Sequence, residues 1–114
     1  MNIVVLQGKL SRPPEARELP SGPLVVYDVT TRDQEGHALT APVAWFGAPA
    51  NAVDMIEGDE VTVVGTVRRR FFQAGGSTQS RTEVVAELVA PSRRKARIRA
   101  AIERVQTTLE GFDP

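Results

Sequence analysis

The 114-residue chain is predicted to form a small all-β barrel followed by a C-terminal α-helix. Up to residue 90, short runs rich in β-branched and aromatic residues alternate with clusters of Gly, Pro and Asp, which is the pattern of short strands. After Pro91 the apolar residues recur at spacings of three and four, which is the helical period. A chain of this length forms one domain with a short appendage. The domain is predicted to span residues 1–91, and the appendage residues 92–114.

Five strands are predicted, at residues 3–10, 24–32, 38–46, 60–72 and 81–89. Gly8 in the first strand indicates a bulge or a sharp bend of the sheet. Residues 11–23 contain four prolines and are predicted to be a loop. Residues 33–37 are predicted to connect a hairpin, and residues 49–56 to form a short helix or irregular crossing. Gly75–Ser77 is predicted to be a loop tip.

The C-terminal helix carries an apolar stripe on one side. Ser92 is a candidate N-cap. The cations at residues 93–95 oppose the helix dipole, so helix stability does not account for them. The stripe is expected to contact the barrel or another subunit, and the cluster from Arg93 to Arg99 is a candidate second polyanion contact. The stripe consists of Ile98, Ile102, Val105, Leu109 and Phe112.

Five strands with a crossing between the third and fourth are the layout of the OB-fold, a small Greek-key barrel. In that fold, nucleic acid lies across the second and third strands. The connections between the first and second strands and between the fourth and fifth strands flank it. Here the latter connection is the segment from Arg68 to Arg81.

The most informative segment is Arg68–Phe72, which joins three arginines to two phenylalanines at the end of the fourth predicted strand. Arginines neutralise phosphates and aromatic rings stack on bases, so this composition is typical of a surface that follows a single nucleic-acid strand. Side chains alternate between the two faces of a strand. Arg68, Arg70 and Phe72 are therefore predicted to share the binding face, while Phe71 on the other face is predicted to be structural.

Charge is unevenly distributed along a chain whose formal net charge is zero. Residues 1–92 carry eight Lys and Arg against eleven Asp and Glu, a net charge of −3. Residues 93–114 carry six cations against three carboxylates, a net charge of +3. A polyanion site on the acidic body must therefore be a local cluster of arginines. Arg69 and Arg81 extend the cluster at Arg68 and Arg70.

Several classes of function have no support in the sequence. Cysteine is absent, which removes disulfides and thiol chemistry and fits a cytoplasmic protein. The chain has no transmembrane-length apolar run and does not begin with a signal-peptide pattern. His37 is the only histidine, and no partners stand near it in a metal-binding or catalytic motif. We therefore expect neither an enzyme nor a metal or cofactor site.

Several short stretches of the sequence resemble the bacterial single-stranded DNA-binding protein family, and they occur in the order and spacing of that family. The resemblance covers about residues 2–90 and is carried by the ordered set rather than by any one piece. It implies an OB-fold that assembles as a homotetramer or dimer and wraps single-stranded DNA without sequence preference. The stretches are Asn2–Leu10, Pro14–Gly22, Val43–Gly47, Gly58–Asp59, Val61–Gly65 and Arg81–Ala86.

The resemblance also implies site residues and a cellular role. Phe46 falls at a base-contacting aromatic position of the family, and Phe72 falls at a stacking tryptophan position. Arg68 and Arg70 fall at basic positions before it. The role implied is in DNA replication, recombination or repair at the nucleoid. The chain lacks two further tryptophans of the family, and its short 33–37 hairpin replaces a longer arm. It also lacks the acidic tip that recruits replication partners, so the resemblance does not extend to recruitment.

Strand alternation and position in the strands also predict the roles of other residues. Trp45 shares a face with the apolar Val43 and is predicted to lie in the core. Tyr27 fits a core or subunit-interface position and a DNA contact equally well. Lys9 and Arg32, near the ends of the first and second predicted strands, are further candidates for phosphate contact.

Two alternatives to single-stranded DNA binding remain open at this stage. An OB-fold adaptor between proteins, akin to primosome accessory proteins, is favoured by the net-acidic body and the low aromatic content of 5%. Binding to single-stranded RNA is equally compatible with stacking, because stacking does not depend on the sugar.

Overall fold

The computed structural model describes residues 2–110, and side chains within residues 2–107. In this part of the chain six strands and a short 3₁₀ turn, Ala50–Val53, precede a C-terminal α-helix. No helix among the described residues is long and apolar enough to cross a membrane. The elements are β1 (Val4–Leu10), β2 (Glu15–Leu19), β3 (Gly22–Arg32), β4 (Ala38–Phe46), β5 (Glu60–Ala74), β6 (Ser77–Pro91) and α1 (Lys95–Glu110).

The described strands form a single sheet that closes into a ring. Their order is β1-β5-β6-β4-β3-β2, and β1 also pairs with β3 through Lys9 and Leu10. The pairing of β4 with β6 is parallel and the other pairings are antiparallel. The predicted all-β barrel-like architecture with a C-terminal helix is therefore confirmed.

The core lies inside the ring and is made by alternate side chains of its strands. In β3, for example, Val25, Tyr27 and Val29 point inward and are buried. Trp45 is only 8% exposed, which confirms its predicted core position. Tyr27 also belongs to the core: its hydroxyl donates to the carbonyl of Ala52 at 2.7 Å, and burial raises its pKa far above the ordinary value. The 3₁₀ turn thus closes one end of the ring.

Two glycines permit the ring to close. A Cβ built on Gly8 would collide with the carbonyl oxygen of Thr30, at the point where β1 reaches β3. The β1–β5 register runs through Gly8 without a shift, so β1 has no bulge there, and the close approach to β3 accounts for the glycine. A Cβ on Gly65 would collide with the carbonyl oxygen of Val85, next to the register shift in the β5–β6 ladder. Glycine is required at both positions because the neighbouring backbone occupies the space of a side chain.

The prediction of five strands was wrong in one respect, because the segment predicted as a loop contains β2. The turn residues Pro13, Pro14 and Pro20 bracket this strand instead of extending through it. Residues 15–19 are mostly exposed and pair only with β3 among the described residues, so they lack the apolar alternation by which strands are recognised. The strand extends the edge of β3 beyond its short pairing with β1.

The β5–β6 hairpin is longer than predicted and projects beyond the ring. Its tip is the two-residue turn Gly75–Gly76, with φ angles of 58° and 81°. Such a turn requires positive φ at both residues, which glycine tolerates. The predicted loop tip is therefore confirmed at Gly75 and Gly76, while Ser77 already belongs to β6. We call residues 68–82 the arm.

Helix α1 packs against its own barrel. Ile98 and Ala101 are buried, and Ile102 and Val105 pack against the core. This confirms the predicted contact with the body for the part of the stripe that is described; the side chain of Leu109 and all of Phe112 lie outside the described residues. Ser92 is not the N-cap, because the helix begins at Lys95. Its hydroxyl instead lies 2.9 Å from that of the buried Thr62.

Candidate nucleic-acid interface

An open groove crosses the outer side of β3, β4 and β6, opposite the core. Its floor includes Leu24, Val26, Ala44 and Phe46, which neighbour one another in the β3–β4 ladder. One wall is formed by Arg12 and Pro13 of the β1–β2 connection and by Glu15 and Arg17 of β2. The opposite wall is formed by Arg70, Arg81 and Glu83 of the β5–β6 hairpin.

Strand alternation brings two cation–aromatic pairs together beside this groove. The Cζ atom of Arg68 lies 5.0 Å from the ring centroid of Phe46, and that of Arg70 lies 5.7 Å from the ring centroid of Phe72. Both distances are within the range of cation–π attraction. Phe46 is 41% exposed and Phe72 is 37% exposed, so both rings remain accessible to a ligand. The predicted grouping of these four residues on one surface is observed.

The centre of this cluster is Glu83, which sequence reasoning missed. Its side chain is only 7% exposed. Its Oε1 atom accepts a hydrogen bond from Nε of Arg68 at 3.0 Å and lies 2.9 Å from Nη2 of the same residue. Nε of Arg70 lies 3.9 Å from the same oxygen. One carboxylate thus holds both arginines next to the two rings and neutralises part of their charge.

Arg81 is the strongest candidate for a phosphate ligand. It pairs directly with Arg70 across the β5–β6 ladder, so two cations stand side by side on one face. Like charges in that position destabilise a sheet, and a bound anion relieves the repulsion. Within the described part of the chain the side chain of Arg81 has no hydrogen-bond or ion-pair partner. The guanidinium is exposed at the wall of the groove.

Arg68 and Phe72 stand beside the groove through their cation–aromatic pairs, whereas three other predicted contact residues lie away from both the groove and these pairs. Arg69 is on the opposite face of the arm from Arg68 and Arg70. Nη1 of Arg32 donates to the carbonyl of Gly36 at 2.9 Å and braces the β3–β4 turn. Lys9 is exposed on β1, where it pairs in register with Thr30 and Glu60. Arg12, by contrast, reaches the groove wall and lies 3.4 Å from Oδ2 of Asp28.

The prediction that Phe71 is structural was wrong. Phe71 is 67% exposed, more than any other phenylalanine among the described residues. Alternation correctly placed Phe71 and Phe72 on opposite faces. However, the arm projects beyond the ring, so neither face has a core to pack against.

The statement that His37 has no potential metal-binding partners nearby was also wrong. Ligand atoms of Asp33, Glu35 and His37 lie within 4.8 Å of one another. All three residues are exposed. The Asp33 carboxylate accepts hydrogen bonds from the backbone N–H groups of His37 at 2.8 Å and of Glu35 at 2.9 Å. These bonds, chiefly that from His37, lower the pKa of Asp33. The cluster is explained by the turn that it stabilises.

The basic start of α1 is separate from the groove. Residues Arg93 to Arg99 follow Pro91, which pairs with Val61 at the end of the β5–β6 ladder opposite the arm. Within the described residues, Arg93, Arg94 and Arg97 instead border a second hollow beside the 3₁₀ turn, which also includes Asp54 and Asp59. Carboxylates in this hollow offset its cations, so it is a weaker polyanion site than the groove.

No protein-family model matches this sequence, and no curated protein matches it. The resemblance to single-stranded DNA-binding proteins therefore remains a prediction from the residues.

Proposed function

We propose that this protein has an OB-fold and binds single-stranded DNA without sequence preference in the groove beside the arm. The observation that carries the proposal is the joining of two exposed rings and three arginines in one place. Arg68, Arg70 and Arg81 stand beside Phe46 and Phe72. Cations for the backbone and rings for the bases are the two elements of a surface that binds single strands.

The fold proposal is supported by strand order. Without β2, the ring runs β1-β3-β4-β6-β5 and back to β1. With these strands numbered one to five along the chain, the order is that of a five-stranded Greek-key barrel. The groove then lies on the second and third strands, between the first-to-second connection and the fourth-to-fifth hairpin. OB-folds bind oligonucleotides in that position.

The roles of the groove residues follow from their exposure and partners. Arg81 contacts phosphate directly, because it has no competing carboxylate partner in the described residues. Arg70, which pairs with Arg81 across the ladder, contacts the adjacent phosphate. Arg68 is held by Glu83 over Phe46, and a base stacks on this pair, since guanidinium planes and aromatic rings both support stacking. Phe72 provides the second stacking surface. A platform of this kind selects single strands without reading base edges.

The experiment is a fluorescence-anisotropy titration of labelled oligo-dT at several salt concentrations. The logarithm of affinity should fall linearly with the logarithm of salt concentration, with a slope of about −0.7 per neutralised phosphate. The double variant Arg70→Ala/Arg81→Ala should flatten this slope by about 1.4, two such contacts. Lys9→Ala/Arg32→Ala is the matched control, because it also removes two positive charges, both outside the groove. Equal slopes for the double variant and the wild type would remove both arginines from the site.

A second candidate function is an OB-fold adaptor between proteins, and Glu83 is the observation that favours it. A buried carboxylate that neutralises Arg68 weakens the site for a polyanion. In that case wild-type protein shows no salt-dependent binding to oligo-dT. Running oligo-U in parallel distinguishes RNA from DNA preference. The leading proposal also includes assembly as a homodimer or homotetramer and a role in DNA replication, recombination or repair.

A further inference from the structure

The reverse face of the arm carries a second cation–aromatic set. We define this face by Arg69 and Phe71 of β5 and by Thr82 and Ser80, which pair with Arg69 and Phe71 across the ladder; Val67 continues it toward the ring. Phe71 is 67% exposed and Val67 is 40% exposed. Strand alternation points these side chains away from the face that carries Arg68, Arg70 and Phe72.

Folding does not account for an aromatic ring in this position. All the residues that define the face are exposed, so the ring of Phe71 contributes little apolar burial to the folded state. Exposed aromatic side chains combined with cations are instead typical of surfaces that bind single-stranded nucleic acid.

The charge of the arm identifies a polyanion as the ligand. Residues 61–82 contain four arginines and no Asp or Glu, within a body whose net charge is negative. On the reverse face, Arg69 has no hydrogen-bond or ion-pair partner for its side chain among the described residues, and its neighbours carry only hydroxyl and apolar groups. The face therefore offers an uncompensated cation next to an exposed ring, as the groove does.

A second copy of the chain fits this face less well. A two-fold symmetric contact brings identical patches together, so Arg69 of one copy would approach Arg69 of the other. Like charges brought together in this way oppose association. A nucleic-acid strand supplies phosphates for the cation and bases for the ring, and so complements both groups.

We propose that the reverse face is a second track for the same single strand, in which Phe71 stacks on a base and Arg69 contacts a phosphate. This inference rests on the proposed function of the groove. The strand leaves the groove, passes around the edge of the arm and continues along its other side. The two tracks are separated by the thickness of one sheet. The nucleic acid then contacts both faces of the arm, and the number of nucleotides bound exceeds the number that the groove alone holds.

The test compares oligo-dT of graded length, from about 4 to 35 nucleotides, a span that brackets the sites of single OB-folds. Arg69→Ala/Phe71→Ala should leave the affinity for the shortest oligonucleotide that binds unchanged, because that length fills only the groove. It should lower the affinity for the long oligonucleotides by at least about tenfold, because a stacked base and a phosphate contact are both lost. Phe71→Tyr keeps a ring and should restore most of the affinity in the presence of Arg69.

Two controls make the result specific. Phe72 lies on the groove face, so Phe72→Ala should lower the affinity for short and long oligonucleotides alike. Circular dichroism should show the same fold for every variant, because both altered side chains are exposed. If wild type binds and the double variant matches it at every length, or loses affinity equally at every length, the second track is wrong while the groove stands. If wild type binds no length, the groove proposal fails first.

One further outcome would also overturn the inference. If native mass spectrometry shows that Phe71→Ala changes the oligomeric state while the length dependence of binding stays that of wild type, the reverse face holds another copy of the chain instead of a nucleic-acid strand.

Discussion

The two halves of β5 belong to one continuous strand yet are used differently. Val61, Val63 and Val64 are fully buried in the ring. Beyond Val67, at Arg68–Phe72, every residue is exposed on the arm. The first half is buried on both faces, whereas the second half displays cations and rings on both faces. Stability is concentrated in the first half, and the features suited to ligand binding are concentrated in the second.

The largest expected effect comes from breaking the buried half. Val63→Ala removes two methyl groups from a fully buried position and leaves a cavity. It should reduce the free energy of unfolding by about 2–3 kcal/mol, because lost burial and the cavity both contribute. Thermal denaturation followed by circular dichroism measures this loss. The affinity of the folded protein for oligo-dT should not change.

Val67→Ala is the matched control for that variant. It makes the same chemical change on the same strand, but Val67 is 40% exposed. The substitution should therefore lower the free energy of unfolding by less than about 1 kcal/mol. Equal losses of unfolding free energy in Val63→Ala and Val67→Ala would contradict the division of β5 into two halves.

The next effect comes from breaking the exposed half. Phe72→Ala should weaken oligo-dT binding by about 1–3 kcal/mol, the contribution of one stacked base. Stability should change by no more than about 0.5 kcal/mol, because the ring is outside the core. The salt slope should stay that of wild type, since no charge is removed. Anisotropy titrations at two salt concentrations measure affinity and slope together. Phe72→Tyr is the control, and full affinity in Phe72→Ala would exclude a stacking role.

The smallest effect sharpens the boundary between the two halves. Glu83 is buried in the sheet but holds Arg68 of the arm. Glu83→Gln should release the arginines for phosphate, raise the affinity for oligo-dT at low salt and steepen the salt slope by about 0.7. Stability should fall by about 1 kcal/mol, since Arg68 is 42% exposed and the pair is partly screened by solvent. Anisotropy titrations measure the affinity and the salt slope, and thermal denaturation measures the stability.

Glu87→Gln makes the same substitution at an exposed position of β6 and should leave both affinity and slope unchanged. A loss of affinity in Glu83→Gln, without any change of slope, would instead show that Glu83 acts by fixing the position of Arg68.

Much of the fold could be predicted from sequence because burial imposes a period on the chain. The two-residue period placed Trp45 in the core and Phe46 outside, and the change of period after Pro91 located the helix. Strand β2 was not predicted, because a mostly exposed edge strand carries no such period. Ser92 failed as an N-cap because its hydroxyl is used by Thr62, a tertiary contact that local sequence does not contain.

The candidate site could be predicted less completely, for a related reason. Alternation grouped Arg68, Arg70 and Phe72, but it gives no information on which face finds a covering neighbour, so the exposure of Phe71 was missed. Glu83 could have been found, because counting outward from the Gly75–Gly76 tip pairs it with Arg68. A two-residue turn fixes the register of the whole hairpin, so every residue of one strand has a determined partner on the other.

The central claim is that the arm and groove bind single strands while the ring only supports them. Backbone NMR spectra of the protein titrated with oligo-dT test it most directly. The account predicts that the largest chemical-shift changes occur at Phe46, at Arg68–Phe72 and at Arg81. It predicts small changes in the 33–37 turn and in the buried half of β5. Changes confined to helix α1 or to that turn, with the arm unaffected, would contradict it.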